Sequence, residues 1–359
     1  MTMNCQVVWS ITLVLLAAIE SPCLGFGLNP LSDVIQKLTN NNSNKKDSSQ
    51  LLLQELNLQA STTPRLAYAR TERIPSLLIS SAAPILRRAS GVFPCNYKVQ
   101  LIDRNQTIYS YVAFDNINKQ LSETGFANIP PLPLILYESE SDADSKLVRE
   151  ACSMLSLIVT MYPMPINGPR YRNKINPNDF INTKSPSTTI PNDSTFPYLL
   201  DPNTSVKLAG SRRIIDYIFT KYGPPGQPVP DILQQPMNGV NFPRLAASLG
   251  VSFIVNNAGG TYIDSNLPNN VQPFVLYAYE GSPFCKVVRE TLCSYEIPHT
   301  IYYTPRGSVN RQRLYDETKR FQVPYIQDPN TGIDLFESEA IVEYIQKQYG
   351  IQQSTVNFI

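Results

Sequence analysis

The chain has one histidine and one tryptophan in 359 residues. A Ser–His or Cys–His hydrolytic pair therefore has a single available partner, His299. It follows Pro298 at the head of an apolar run, where a structural or exposed imidazole is the ordinary reading. No Cys-x-x-Cys occurs, which excludes a dithiol redox pair, and no Cys/His spacing suits zinc. Charged residues make up only 16%, and 30 basic residues nearly cancel 29 acidic ones. There is neither a basic stripe for nucleic acid nor an acidic arm. No apolar run reaches the roughly 20 residues that a membrane helix needs, so no transmembrane span is expected in the mature chain.

What is present suggests roughly two domains. The hydrophobic fraction of 42% suffices for globular cores, and 30 prolines point to long connections. The N-terminal "VVWSITLVLLAAI", Val7 to Ile19, has signal-peptide length, and "ESPCLG" follows. Cleavage after Gly25 would leave Phe26 in front of a Ser-, Asn- and Lys-rich, acid-poor stretch. Residues 1–25 read as a signal peptide and 26–80 as a transit-like disordered segment. The pair resembles the two-part address of plastids with extra envelope membranes; a secretory signal with a spacer is the alternative. Sequons at Asn41, Asn105, Asn192 and Asn203 favour neither. Of six cysteines, Cys5 and Cys23 lie in the signal. Cys95, Cys152, Cys285 and Cys293 are too scattered for a disulfide framework.

The chain contains one unit twice. "PLILYESESDADSKLVREACS", Pro133 to Ser153, aligns without gaps with "PFVLYAYEGSPFCKVVRETLC", Pro273 to Cys293, at an offset of 140. "FPYLLDPNT" from Phe196 matches "VPYIQDPNT" from Val323, and "LAGSRRIIDYIFTKYG" matches "LFESEAIVEYIQKQYG", at an offset of 127. The difference falls in a polar, Pro- and Asn-rich insertion of the first copy that reads as a loop. Each copy reads β-α-β-α-β-β-α. In the second, strands are expected at Phe274–Tyr279, "HTIYYT", "PYIQD" and "DLFE", and helices at Pro283–Tyr295, "RQRLYDETKR" and "SEAIVEYIQKQYG". The copies occupy 131–223 and 272–351. Residues 224–271 form a linker whose "LAASLGVSFIV" reads as a packed segment, and 81–130 form an extension with two candidate strands, "YKVQLI" and "TIYSYVAF".

The order of elements, with "SPFC", "QVP" and "FES" in sequence, resembles the thioredoxin-like N-terminal domain of glutathione transferases and glutaredoxins. The tandem, with "EGSPFCKVVRE", "RGSVNRQ", "FQVPYIQDPNTG" and "FESEAIVEYI", is similar to a family of plant and algal plastid proteins carrying two such domains. The resemblance implies an α/β fold of two thioredoxin-like (βαβαββα) domains in tandem. An all-helical glutathione transferase C-terminal domain is not expected, because few residues follow the last helix. It also implies glutathione as ligand or co-substrate. Pro324 would be a cis-proline presenting Val323 to the cysteinyl part. Gln322 would reach the peptide backbone. Glu337 would receive the α-amino group, and Ser338, at a helix start, the γ-glutamyl carboxylate. An ordinary N-cap is the other reading of Glu337-Ser338.

The remaining question is the serine at 282, where a redox protein would carry cysteine. Serine forms no stable disulfide. It can donate a hydrogen bond to the thiolate of bound glutathione, worth about 1.5–3 kcal/mol, as in serine-type glutathione transferases. Ser282 is the candidate catalytic residue, and Cys285, one turn into the helix, the lesser one. The first copy carries Asp142-Ala143-Asp144-Ser145 instead and replaces Glu337 by Gly210, although Pro197 and Ser211 persist. It reads as a thioredoxin fold without redox chemistry, its Asp pair being helix-start complementarity. No metal site is expected. Two functions compete: a glutathione-binding, transferase-like protein working through Ser282, and a non-catalytic plastid scaffold whose partner is another protein or a second copy. Monothiol chemistry at Cys285 ranks third.

Overall fold

A computed structural model of the chain describes residues 90–95, 99–101, 112–114, 129–180, 196–233 and 261–351. The segments read as signal and transit-like, the "LAASLGVSFIV" run and most of the insertion's second half lie outside the described residues. The two stretches expected as strands in the extension each contribute a short one. β1 (Val99–Leu101) pairs antiparallel with β2 (Val112–Phe114).

The first repeat supplies β3 (Leu134–Glu138), α1 (Ala143–Met154), β4 (Ile158–Pro163), β5 (Tyr198–Asp201), β6 (Val206–Ala209) and α2 (Ser211–Tyr222). The second supplies β7 (Phe274–Ala278), α3 (Pro283–Ser294), β8 (His299–Tyr303), α4 (Val309–Thr318), β9 (Tyr325–Asp328), β10 (Ile333–Phe336) and α5 (Ser338–Tyr349). The result is a mixed α/β architecture consistent with a thioredoxin-like fold. No helix among the described residues is long and apolar enough to cross a membrane.

The halves share strand order and sense. In each, the first strand runs parallel to the second and antiparallel to the third, and the fourth pairs with the third. They do not form separate four-stranded sheets. β4 pairs antiparallel with β8, with Val159 opposite Ile301 and Thr160 opposite Thr300, giving one eight-stranded sheet in the order β10-β9-β7-β8-β4-β3-β5-β6. Alternation decides the faces. Leu134, Leu136, Phe274 and Leu276 are fully buried, whereas Ile135, Tyr137 and Val275 between them are half-buried. A single apolar core runs from Leu147, Val148 and Ile218 through Val159 and Ile301 to Val288, Ile341 and Ile345.

One element differs from the expected order. In the second half α4 covers the other sheet face, with Leu314 packed on Tyr277 and Tyr325. In the first half no α-helix is found there among the described residues. Two 3-10 turns, Arg172–Lys174 and Pro177–Phe180, follow β4, and Phe180 packs on Tyr198 and Ala209. The reason is local: "NKINPND" places a proline and turn-forming Asn and Asp where α4 has "NRQRLYDET".

A reciprocal exchange of short arms also joins the halves. Cys95 N–H bonds Met154 O at 2.9 Å, and Ile263 N–H bonds Ser294 O at 2.8 Å. Arg306 N–H bonds Val92 O at 3.0 Å, and Tyr262 N–H bonds Ile166 O at 2.9 Å. Met154 and Ser294 are matching positions of the repeat, as are Ile166 and Arg306. Each arm is thus fastened to the helix that follows it in its own half and to the other half's loop after β4 or β8. The end of the 224–271 connection is one of these arms.

Candidate functional site

The register of the second half brings the predicted site residues to one end of the sheet. Tyr277 lies opposite Tyr325, and Tyr325 opposite Phe336. The turn after β7, the residues before β9 and those after β10 therefore face the same side. These are the turn leading into Ser282, the Gln322-Val323-Pro324 approach, and Glu337-Ser338. The Val323–Pro324 peptide is cis, as is Phe196–Pro197 in the first half.

Ser282 caps α3. Its backbone is extended, Pro283 opens the helix, and its oxygen accepts the Cys285 N–H at 3.3 Å. The cap uses an acceptor lone pair of the hydroxyl, and its proton faces the Cys285 thiol. Ser282 is 4% exposed. Cys285 is fully buried, and burial raises its thiol pKa, only partly offset by the hydrogen bond with Ser282. Burial likewise pushes Cys95 and Cys152 up to about 12 and Cys293 well above its ordinary value. None of the four is in the electropositive, accessible setting that activates a thiol.

Glu337 adopts φ 70°, ψ 128°, in a region that non-glycine residues rarely enter. It precedes the first residue of α5, Ser338, which is buried, and its side chain makes no capping hydrogen bond. Gly210 takes almost the same conformation, φ 91°, ψ 136°, before α2. The backbone demands a glycine-like residue at this point, and the second half places a carboxylate there at a conformational cost of about 1–3 kcal/mol. Such outliers cluster where a side chain is held for a ligand. Gln322 and Val323 are half-buried, and Pro324 is buried.

The first half fills its own corner. Asp142 caps α1, accepting the Ser145 N–H at 2.7 Å and the Ser145 hydroxyl at 2.8 Å. Asp144, 5% exposed, accepts the Ser211 hydroxyl at 2.8 Å. Ser211 matches Ser338, so in the first half an internal carboxylate lies at the start of α2.

Sequence reasoning missed what lies beneath both corners. Glu140 and Glu280, at matching positions, sit within a buried ionic network. Lys146 bonds Glu280 at 3.2 Å, and Arg149 reaches Glu138, Glu140 and Glu280. Arg289 answers with Glu140 and Glu280, both at 3.0 Å, and Lys286 lies 3.9 Å from Glu140. Burial alone would raise the Glu280 carboxyl; Arg289, then Lys146 and Arg149, overturn that and hold it at about 2. Burial pushes Lys286 down to about 8, against Glu290 and Glu140. The signal was available in the repeat, where Glu, Lys, Arg and Glu recur identically at 140/280, 146/286, 149/289 and 150/290. His299 is also buried; its Nδ1 lies 3.0 Å from Ile297 O, and burial lowers its pKa to about 4.

The family model described as "Glutathione S-transferase, N-terminal domain" matches residues 276–353. That range holds every candidate site residue and none of the first half. Glutathione S-transferase-like protein tpcF of Aspergillus fumigatus is 32% identical over 80 residues, 22% of this chain and 35% of the relative. Glutathione S-transferase-like protein OpS6 of Beauveria bassiana is 34% identical over 80 residues, 22% of this chain and 37% of the relative. The chain thus spans about a third of the length of the curated relatives it matches. No solved structure matches.

Proposed function

We propose that this chain is a glutathione-binding protein made of two thioredoxin-like units in tandem, with the ligand corner in the second. Ser282 donates to the ligand thiolate, Val323 pairs with its backbone beside Pro324, Gln322 reaches the peptide, and Glu337 with Ser338 holds the γ-glutamyl end. The observation that carries the reading is Glu337. A carboxylate kept at φ 70° immediately before a helix start, where the other half has glycine, is the mark of a residue retained for a ligand. The family match over 276–353 supports the ligand class.

A hydrogen bond from Ser282 worth about 1.5–3 kcal/mol lowers the bound thiol's pKa by roughly one to two units. Weak serine-type transferase chemistry follows if an electrophile reaches that thiolate. Cys285 has no part in it, because burial holds its thiol protonated. The first unit acts as a brace: Lys146 and Arg149 on its α1 clamp Glu280, two residues before Ser282. The plastid address in residues 1–80 belongs to this proposal too; a reporter fused to that segment and held in the secretory pathway would refute it.

The test is a calorimetric titration with glutathione, combined with the thiolate absorbance of the bound ligand against pH. Ser282→Ala should bind glutathione nearly as the parent does while the bound thiol's pKa rises. Glu337→Ala should weaken binding and leave that pKa nearly unchanged. No detectable binding by the parent refutes this reading and favours a non-catalytic scaffold, a reading for which the extensive buried junction between the halves also speaks.

A further inference from the structure

The arm Ser90–Cys95 lies on the Ser282 corner, and its fit is tight on both sides. A Cβ on Gly281 would stand 2.1 Å from Val92 Cγ2. A Cβ on Gly91, which has φ 78°, would stand 3.0 Å from Glu280 Cβ and 3.3 Å from Ser153 Cβ. Two bare backbones, one on each side, thus permit this approach, and a side chain on either would push the arm away. Val92 is 3% exposed. Three hydrogen bonds fasten the arm: Ser153 Oγ to Gly91 O at 2.6 Å, Cys95 N to Met154 O at 2.9 Å, and Arg306 N to Val92 O at 3.0 Å. The first two anchor it to the end of α1. The third carries it onto the loop after β8, so the arm bridges the halves over the turn that delivers Ser282.

The geometry points to a latch: Ser90–Cys95 closes the Ser282 corner, and a thiol ligand gains the Ser282 hydroxyl only when the arm lifts. The choice of glutathione-like thiols as ligand rests on the function proposed above; the latch itself does not. If the competent state is a minor one, apparent affinity falls in proportion to its population, and weakening the latch recovers it. Ser90, Gly91, Val92 and Pro94 are buried and Cys95 packs against the main core, so lifting the arm is a local opening that breaks these contacts and leaves the strand pairing of the sheet in place.

The experiment places a thiol at the corner by Ser282→Cys in the full chain and measures its reaction with a small neutral maleimide, the parent serving as background. With the arm closed, the introduced thiol should react slowly. Adding Val92→Ala, which removes the contact with Gly281, or Ser153→Ala, which removes the Gly91 anchor, should each speed the reaction about tenfold. Cys285 and Cys293 should stay slow in all variants. The latch is overturned if Ser282→Cys already reacts as in the denatured chain, if neither added substitution changes the rate, or if Cys285 and Cys293 accelerate equally, since that reports global unfolding. Glutathione titration of Val92→Ala separates the two proposals. Faster labelling with tighter binding supports both, and faster labelling with no binding by any variant upholds the latch while removing glutathione as its ligand.

Discussion

Thr160 and Thr300 meet hydroxyl to hydroxyl, 3.0 Å apart, across the junction of β4 and β8. They are the same position of the repeat, 140 residues apart. A residue meets its own counterpart only on a two-fold axis, so the halves join as the subunits of an isologous dimer do. The other contacts obey the same exchange: Lys146 to Glu280 and Lys286 to Glu140, Arg306 to Val92 and Ile166 to Tyr262.

The charges on that axis should matter far more than those on the surface. Arg149→Met leaves Glu138, Glu140 and Glu280 buried with one guanidinium fewer, and should cost about 3–5 kcal/mol in urea unfolding. Lys347→Met breaks a 2.9 Å pair with Glu343 whose side chains are 34% and 39% exposed, and should cost under about 1 kcal/mol. Equal losses would refute a junction held by its ionic core.

Glu337→Gly should separate stability from binding. Glycine relieves the positive φ, as Gly210 does in the first half, and should stabilise the fold by about 1 kcal/mol. The same change removes the carboxylate and should weaken glutathione binding. Thermal unfolding and calorimetry on one preparation test both, and a destabilised variant with unchanged binding would overturn the assignment.

Asp144 predicts stoichiometry. Because its carboxylate accepts the Ser211 hydroxyl, the start of α2 is satisfied internally. Calorimetry should find one glutathione per chain, and Asp144→Ala should not add a second strong site, since Gly210 offers no carboxylate to an amino group. Two equal sites in the parent would contradict this.

His299 predicts a pH effect. Its pKa falls from 6.5 to about 4 on folding, because burial disfavours the imidazolium. The contribution is therefore present above pH 6.5 and lost as pH falls through 4, at most about 3 kcal/mol. Glu140 favours the charged ring, and Arg289 and Arg149 oppose it. Glu138 and Glu290, raised to about 7 by burial, act in the opposite direction between 4.5 and 7, and Glu280, held at about 2, adds a loss at lower pH. All three remain in His299→Leu, so the parent's urea midpoint should fall relative to the variant's as pH drops from 6.5 to 4. Parallel curves would refute it.

Much of this protein was legible in order along the chain. The alternation in "PFVLYA" and "PLILYE", the proline after Ser282 and the Asp-Pro-Asn-Thr turns are local signals, and local sterics and burial fix the elements they announce. The repeat, despite the insertion in its first copy, gave both halves the same strands, and "SPFC", "QVP" and "FES" marked the corner residues. Among the described residues, the second helix expected in the first half is not seen after β4, where "NKINPND" forms 3-10 turns instead.

What the sequence could not decide is how surfaces meet. Lysine and arginine on an amphipathic helix are ordinarily solvated, and the repeat shows only that Lys146, Arg149, Lys286 and Arg289 recur, not where they point. They are buried because β4 meets β8 edge to edge and turns each α1-type helix onto the other half's corner. Nor does a linear pattern tell that Val92 rests on Gly281, 189 residues away. Element identity follows from neighbours within a few residues. Pairing at an axis depends on two complementary edges arriving together, and that relation exists only once the sheet has formed.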